Sequence, residues 1–385
     1  MKKHALGPST RAIHGVPHPL APGTPVSSPI VQSSTFANAI GSHDDVLYTR
    51  YGNNPNQVTI AQRLAMLEGA EAAIFLSSGM GATSLAHLAV LHPGDHLLAS
   101  AWIYGGTRTL FDTEFRRMGI DVTYVDPSER RGWAGQIRKN TRAVFVETPT
   151  NPLARVLDLE PIAAVCRRHK LALLVDSSFA SPFNYRALDH GADVVIHSAT
   201  KYLNGHSDVI AGAVAGSATV VDEVTRLMRV WGQAIDPHCA WLVERGMKTL
   251  AVRMERHNAS GLTFARWASQ QAGVTAVQYP GLEDHPDHAV ATRTLTGYGG
   301  MVGLVLKGGA KGAERVLSRL TMVAHAPSFG GAESLVSEPR LTSHAKLSPA
   351  ERAAQGIPDG FIRVSLGLED VDDIIHDFDR ALSGS

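Results

Sequence analysis

The chain is poor in cysteine, has no long apolar segment and carries no net charge. Its two cysteines, Cys166 and Cys239, lie far apart without CxxC spacing, which excludes a disulfide framework and a cysteine zinc site. No apolar run approaches the ~20 residues of a membrane helix, and the N-terminus lacks a run of signal-peptide length. Lys plus Arg and Asp plus Glu both number 36, so no net field favours nucleic acid or a membrane surface. We therefore expect a soluble, unprocessed, cytoplasmic enzyme that acts on small molecules.

The 18 histidines form no recognisable metal motif. His197, His206, His238 and His325 have neither the HxxxH nor the HExxH spacing that is typical of zinc enzymes. We predict that these histidines have structural or supporting roles and that the protein binds no metal.

Short apolar runs alternate with helical patterns through the middle of the chain. The sequence predicts strands over 72–76, 96–100, 121–125, 141–146, 171–176 and 301–306, and helices over 58–67, 82–91, 159–169 and 262–271. Such alternation predicts an α/β fold with a mainly parallel sheet and crossover helices. We divide the chain into an extended N-terminal arm (1–56), a large α/β domain (57–257) and a smaller C-terminal α+β domain (258–385).

Two of the predicted strands place an acid and an amine at the same edge of the sheet. Asp176 ends one apolar run, and Lys201 follows the next, which begins at Val194. Ligands of open α/β sheets collect at the carboxyl ends of strands. A carboxylate facing a pyridinium nitrogen and a lysine able to form a Schiff base are the groups that pyridoxal phosphate (PLP) requires. The alternative is a strand cap and a surface lysine, but the hydroxyls of Ser198 and Thr200 beside Lys201 favour a phosphate ligand.

Other strand ends carry weaker signals. The glycine turn Ser77–Gly81 precedes a predicted helix and is suited to an anion. It contains neither a Walker A lysine nor a GxGxxG pattern. Tyr104 could cover a planar cofactor or fill the core, and Asn151 could donate to a phenolic oxygen or belong to an Asn-Pro turn. A doubly wound protein without PLP, such as a dehydrogenase or a binding domain, is the alternative class, and a protein that stays colourless with PLP would support it.

Several longer motifs resemble those of one family, the γ-subfamily of fold-type I PLP enzymes of Cys/Met metabolism, which includes the trans-sulfuration enzymes. The motifs begin at Tyr48 (Tyr-Thr-Arg-Tyr-Gly-Asn), Ser77 (Ser-Ser-Gly-Met), Tyr104 (Tyr-Gly-Gly-Thr), Glu147 (Glu-Thr-Pro-Thr-Asn-Pro), His197 (His-Ser-Ala-Thr-Lys-Tyr), Arg245 (Arg-Gly-Met-Lys-Thr-Leu), Tyr279 (Tyr-Pro-Gly-Leu), Gly330 (Gly-Gly-Ala-Glu-Ser-Leu) and Arg363 (Arg-Val-Ser-Leu-Gly-Leu-Glu-Asp). The resemblance covers nearly the whole chain and implies an aspartate-aminotransferase-like fold.

The resemblance also implies the roles of individual residues. Lys201 would carry PLP and shuttle protons, Asp176 would keep the pyridine nitrogen protonated, and Tyr104 would stack on the ring and assist the leaving group. The implied phosphate ligands are Gly79, Met80, Ser198 and Thr200, joined by Tyr48 and Arg50 from a neighbouring subunit. The active form would then be a homotetramer built from dimers that share active sites.

Substrate recognition follows from the same resemblance. Arg363 would clamp the substrate α-carboxylate, with help from Asn151 and Ser328, and a planar guanidinium suits this task. Asn151 is also an implied cofactor ligand, and Arg108 an implied substrate ligand. The partners of the protein would thus be small amino-acid substrates.

Members of the family catalyse β-elimination, γ-elimination or γ-replacement, so smaller features must indicate the reaction. Ser177 after Asp176, Pro327 before Ser328, and Arg108 four residues after Tyr104 resemble the plant-type cystathionine γ-synthases. Gly106 in place of cysteine argues against a methionine γ-lyase. We predict γ-replacement of an O-acyl-L-homoserine by L-cysteine, with cystathionine γ-lyase and β-lyase activities as the alternatives.

Overall fold

The computed structural model describes residues 6–16, 21–41, 46–128, 132–342, 345 and 348–383. Two sheets organise this part of the chain. A seven-stranded sheet has the strand order β1-β7-β6-β5-β4-β2-β3, and a five-stranded sheet has the order β10-β11-β12-β9-β8. The strands are β1 (Ala72–Leu76), β2 (His96–Ser100), β3 (Asp121–Val125), β4 (Thr141–Glu147), β5 (Ala172–Asp176), β6 (Val194–Ser198), β7 (Gly212–Gly216), β8 (Val274–Gln278), β9 (Met301–Leu306), β10 (Ala324–His325), β11 (Leu335–Ser337) and β12 (Phe361–Ser365).

Helices cover both sheets. They are α1 (Pro8–His14), α2 (Pro55–Glu68), α3 (Gly79–Leu88), α4 (Gly105–Leu110), α5 (Gly132–Gly135), α6 (Leu159–His169), α7 (Ser181–Asn184), α8 (Ala218–Trp231), α9 (Pro237–Lys248), α10 (Leu250–Ala268), α11 (His288–Thr294), α12 (Gly309–Leu317), α13 (Pro349–Ala354) and α14 (Val371–Ser383). Short 3₁₀ segments occur at Thr49–Tyr51, Ala187–His190 and Pro339–Leu341, and a π-helical turn, Phe111–Phe115, follows α4. Within the described residues, no helix is long and apolar enough to cross a membrane.

The large sheet is parallel from β3 to β6, as the alternation of strands and helices predicts. Its central strands β5 and β6 are largely buried, which explains their apolar runs, whereas the edge strand β3 is mostly half-buried or exposed. The exception is β7, which pairs antiparallel with both β1 and β6. The sequence Gly-Ala-Val-Ala-Gly gave no strand signal. A Cβ at Gly212 would lie 2.0 Å from the carbonyl oxygen of Ser78, so the close approach of this loop requires glycine there.

The N-terminal residues lie against the large sheet's helices rather than forming a layer of their own. Val31 donates its N–H to Asn56 Oδ1 at 2.8 Å, and Trp241 Nε1 donates to the carbonyl of Ser28 at 2.8 Å. The described part of this segment also contains the helix α1, which the sequence did not indicate. The prediction that 1–56 forms a separate arm stays a prediction.

The five-stranded sheet and the helices around it contain most of the C-terminal third. Helix α10 starts at Leu250, twelve residues before its predicted start, because its first turns carry charged residues that obscure the apolar face. The predicted domain boundary at residue 258 lies inside this helix, and the domain division stays a prediction. Strand β12 lies in the centre of the sheet, between β9 and β11, and carries Arg363.

Candidate active site

A cavity of about 510 Å³ lies where the carboxyl ends of β4, β5 and β6 face β12 of the smaller sheet. Most of the site residues predicted from the sequence line it together. They are Gly79, Met80, Tyr104, Asn151, Asp176, Ser198, Thr200, Lys201, Ser328 and Arg363. Gly79 and Arg363, nearly three hundred positions apart in the chain, thus line the same cavity. This is the arrangement expected at the carboxyl edge of an open α/β sheet.

Asp176 ends β5 and faces the cavity. Its Oδ1 accepts the backbone N–H of Ser178 at 2.9 Å, and burial raises the pKa of the carboxyl above its ordinary value. None of the ion pairs found among the described residues includes Asp176. A buried carboxylate of this kind is stabilised by a cationic ligand group, and a protonated pyridine nitrogen is such a group.

Lys201 lies in the turn that follows β6. Its Nζ donates a hydrogen bond to Ser328 Oγ at 2.7 Å and lies 4.9 Å from the ring centroid of Phe329. Burial, with a smaller contribution from the nearby charge of Arg363, lowers the pKa of the lysine to about 8. A substantial fraction of the amine is therefore neutral and nucleophilic near physiological pH, which carbonyl chemistry requires.

Arg363 reaches the cavity from β12, and its guanidinium forms a fork there. Its Nη1 donates to Asn151 Oδ1 at 2.7 Å, and its Nη2 donates to the carbonyl of Ser328 at 2.8 Å. The buried Nε has no partner among the described residues. Burial lowers the pKa of Arg363 to about 10, so the guanidinium remains charged at neutral pH. A fixed, charged and incompletely paired guanidinium is suited to binding a carboxylate.

Ser328 connects the lysine and the arginine. Its side chain accepts from Lys201, and its carbonyl accepts from Arg363. The residue has a φ of 98°, which is unfavourable for any residue other than glycine. Strained backbone conformations of this kind concentrate at functional sites, where the surrounding contacts hold them.

The start of α3 lines one end of the cavity. Ser78 caps the helix by accepting the N–H of Gly81 at 3.0 Å, so α3 starts three residues before its predicted start. The first N–H groups of a helix have no partner within it and attract anions. A Cβ at Gly79 would lie 2.9 Å from Ser198 Oγ, so only glycine lets the helix start approach Ser198 this closely.

Tyr104 lies before α4, with its ring packed over Gly106. A Cβ at Gly106 would lie 2.4 Å from Cε1 of the Tyr104 ring, so a larger residue would displace the tyrosine. The side chain of Tyr104 is 42% exposed and forms part of the cavity wall. Gly106 therefore leaves the space that the ring of Tyr104 occupies.

The sequence did not single out Glu147, which is 5% exposed and lies at the end of β4 beside Asp176. Its Oε2 accepts the N–H of Tyr104 at 2.8 Å, and its Oε1 accepts the N–H of Asn151 at 2.7 Å. Burial and the neighbouring Asp176 raise the pKa of Glu147 to about 8. A carboxylate at a strand end, directly before a Pro-rich turn, was the signal that could have indicated it.

Three predicted site residues lie away from this cavity. Arg50 Nη1 donates to the carbonyl of Arg229, and the guanidinium contacts the rings of Tyr48 and Tyr51. Arg108 lies 4.1 Å from the Tyr124 ring centroid and 3.7 Å from Asp112. The roles of Tyr48 and Arg50 in a neighbouring subunit's site, and of Arg108 in substrate binding, stay predictions.

The residues of the cavity fit PLP. The orphaned Nε of Arg363, the glycine cradle at the start of α3, the buried Asp176 and the partly neutral Lys201 are the four features that an anionic, pyridine-containing aldehyde and its carboxylate substrate need. Helix α3 and the hydroxyls would hold the phosphate, Asp176 the ring nitrogen, and Lys201 the aldehyde carbon.

Known proteins resemble the chain over nearly its whole length. Residues 9–383 match the family described as Cys/Met metabolism PLP-dependent enzyme. The O-succinylhomoserine sulfhydrylase of Pseudomonas aeruginosa is 40% identical over 88% of this chain and 83% of that protein. The L-methionine gamma-lyase of Porphyromonas gingivalis is 38% identical over 99% of both. The cystathionine gamma-synthase of Mycobacterium leprae is 38% identical over 98% of this chain and 97% of that protein.

The fold has a counterpart of the same size in the crystal structure of metB from Corynebacterium glutamicum. The two structures agree with a TM-score of 0.93 at 37% identity, over 98% of each chain. The fold and the cavity define a fold-type I PLP-dependent enzyme. Within that class, the chain belongs to the Cys/Met metabolism family, and PLP is its cofactor. The predicted family, fold class and cofactor are confirmed. Relatives of similar identity are named for different reactions, so these comparisons do not identify the reaction.

Proposed function

We propose that this enzyme is a cystathionine γ-synthase, which replaces the acyl group of an O-acyl-L-homoserine by L-cysteine. The observation that carries this choice is the apolar edge of the cavity next to Lys201, formed by Pro327 and Phe329. The ring of Phe329 lies 4.9 Å from Lys201 Nζ. A replacement reaction must keep the activated carbon away from water until the thiol arrives, and apolar side chains reduce the access of water.

Bound PLP supplies an electron sink for the bonds at the substrate's Cα and Cβ. The fork of Arg363 binds the α-carboxylate and, with Asn151, fixes the orientation of the substrate. Asp176 would keep the pyridine nitrogen of the cofactor protonated. Tyr104 covers the site from the side of α4 and donates to the leaving group.

Lys201 moves the protons. The amine of Lys201 would take the proton from the substrate's Cα and return it to another carbon of the substrate, because an amine with a pKa of about 8 can act as both base and acid. Ser328 accepts from the amine and is itself fixed through its carbonyl by Arg363. The base is thereby held in a defined position relative to the substrate carboxylate.

The alternatives are γ-elimination, releasing 2-oxobutanoate, and β-elimination, releasing pyruvate. A relative named L-methionine gamma-lyase matches at 38% identity. The experiment must therefore compare the rate of elimination with the rate of replacement. Because one relative is named O-succinylhomoserine sulfhydrylase, inorganic sulfide should be tested as a second sulfur nucleophile. A cytoplasmic location is part of the same proposal.

The PLP-loaded enzyme is incubated with O-acetyl- or O-succinyl-L-homoserine, with L-cysteine, with sulfide or without a thiol, and separately with L-cystathionine or L-methionine. Mass spectrometry identifies the products. We expect cystathionine to form faster than 2-oxobutanoate. Faster release of pyruvate or 2-oxobutanoate from cystathionine would contradict the synthase and identify a β- or γ-lyase.

A matched pair of variants tests the apolar edge. Pro327→Gln adds a hydrated amide beside the reaction and should raise the ratio of 2-oxobutanoate to cystathionine. Pro93→Gln makes the same change in an exposed loop distant from the cavity and should leave the ratio unchanged. An unchanged ratio in Pro327→Gln would remove the support that the apolar edge gives to γ-replacement.

The proposal includes a homotetramer of dimers that share active sites, with Tyr48 and Arg50 completing the phosphate end of the neighbouring subunit. The support is that the guanidinium of Arg50 lies against the rings of Tyr48 and Tyr51, 5.5 Å and 5.2 Å from their centroids, and does not line the cavity of its own subunit. Mixing Arg50→Ala with Lys201→Ala subunits should restore activity, since one site of a mixed dimer is intact. Lys201→Ala mixed with Asp176→Asn should restore none. Light scattering measures the assembly, and a monomer would contradict it.

A further inference from the structure

Glu147 is a buried carboxyl group that binds two backbone N–H groups at the edge of the cavity. It is one of two neighbouring carboxylates at the strand ends, and Asp176 is the one placed to meet the cofactor ring. Each oxygen of Glu147 accepts a different backbone N–H, from Tyr104 at 2.8 Å and from Asn151 at 2.7 Å. These two donors are 47 positions apart and belong to separate loops. A single buried side chain therefore joins two loops.

Each of the two loops carries a residue that the proposed function uses. The first presents the ring of Tyr104, which packs over Gly106. The second presents Asn151, whose Oδ1 accepts from Nη1 of Arg363 at 2.7 Å. A displacement of either N–H would change the distance between the aromatic cover and the carboxylate fork.

We propose that Glu147 is a positioning residue that sets the distance between Tyr104 and the Asn151–Arg363 clamp, and thereby the affinity for the α-carboxylate of amino-acid substrates. The inference rests on the proposed function, because it takes Arg363 as the clamp for the substrate. It adds a buried residue of the cavity wall, which acts on substrate binding through two backbone hydrogen bonds.

Two substitutions test whether the positions of the two acceptor oxygens of Glu147 determine its effect. Glu147→Gln keeps the volume but replaces one acceptor by an NH₂ group, which then faces an N–H donor, so one loop must move. Glu147→Asp keeps the carboxyl group and both acceptor oxygens but is one methylene shorter and cannot reach both N–H groups. Both variants should therefore be impaired, and if Glu147→Gln does not fold, Glu147→Asp decides the question.

Asp377 provides a matched control. It is 4% exposed and accepts the backbone N–H groups of Thr321, Met322 and Val323 beside the smaller sheet. Asp377→Asn likewise replaces one acceptor oxygen by an NH₂ group, in a buried carboxyl that binds backbone N–H groups but does not line the cavity. A purely structural carboxylate behaves in this way, with an effect on thermal unfolding only.

The test is a titration of each PLP-loaded enzyme with L-norvaline, which has the size of homoserine but no leaving group, followed by the visible spectrum of the bound cofactor. We expect Glu147→Gln and Glu147→Asp to weaken norvaline binding about tenfold, equivalent to about 1.4 kcal/mol. Asp377→Asn should bind within about twofold of the wild type. In Glu147→Gln/Asn151→Ala, the loss should be smaller than the sum of the two single losses, because part of the effect of the first substitution acts through the side chain of Asn151.

The outcomes distinguish the two proposals. Wild-type affinity in Glu147→Asp, an equal loss in Asp377→Asn, or additive losses in the double variant would overturn the role of Glu147 while the proposed function stands. A wild-type enzyme that binds PLP but shows neither a spectral response to L-norvaline nor turnover of acylhomoserine would overturn the proposed function and the inference with it.

Discussion

Replacing Gly79 by alanine tests whether the start of α3 and Ser198 form the phosphate end of the cavity. The new Cβ would lie 2.9 Å from Cβ and Oγ of Ser198 and 3.2 Å from its Cα. Non-bonded carbon atoms settle at about 3.5–4.0 Å, so α3 and the end of β6 must separate by about 0.5–1 Å. Overpacking of this kind costs about 1–3 kcal/mol. If the pocket takes up the strain, the Kd for PLP rises by about 5- to 150-fold.

Gly81→Ala is the matched control, because it lies in the same helix and its nearest neighbour is Oε1 of Gln233, at the end of a flexible side chain. Equilibrium dialysis of PLP against the cofactor-free proteins measures affinity, and their thermal unfolding measures stability. We expect only Gly79→Ala to lose affinity, since both variants gain the same helix propensity. Wild-type PLP affinity in Gly79→Ala would refute the assignment of the phosphate end.

Three further predictions follow from charges and burial. Because the pKa of Lys201 is lowered to about 8, the rate of PLP capture by cofactor-free enzyme should rise from pH 7 to 9 and then level off in stopped-flow absorbance, and an inflection near pH 10 would contradict this. Arg363→Lys cannot form the fork and should raise the KM for acylhomoserine by about 10- to 100-fold, whereas an unchanged KM would show that another group binds the carboxylate. Burial lowers the pKa of His87 to about 4, below its unfolded value, so unfolding free energy should be lost as pH falls from about 6.5 to 4, by about 3 kcal/mol. His87→Leu should flatten this loss in urea titrations at several pH values, and an equal slope would contradict it.

The elements that were predictable from the sequence are those with a strong periodic pattern. Strands β1, β2, β3 and β9 have their predicted bounds, because apolar runs bounded by turn residues identify buried strands directly. Strand β7 was not predicted, because it is built from glycine and alanine, whose small size is imposed by a neighbouring loop rather than by any local pattern.

The chemistry at strand ends was predictable for a similar reason. Asp176 and Lys201 follow apolar runs directly, and the carboxyl ends of neighbouring parallel strands meet at one edge. Arg363 and Ser328 carry no such local signal, since they reach the cavity from a different sheet, and only the family resemblance indicated them. For Arg108 the resemblance gave a substrate role, while the structure places its guanidinium on the ring of Tyr124.

Glu147 marks the limit of what sequence patterns reveal about this site. Its position at the end of β4 was visible, but its function depends on which backbone N–H groups its two oxygens meet, and backbone donors have no signature in the sequence. The same limit applies to Ser328, where the main-chain carbonyl, and not only the hydroxyl, connects the amine to the arginine. In both cases the geometry of the site depends on hydrogen bonds to main-chain groups. Small displacements of these loops can therefore change how the site binds an amino acid, and the norvaline affinities of the Glu147 variants measure that effect.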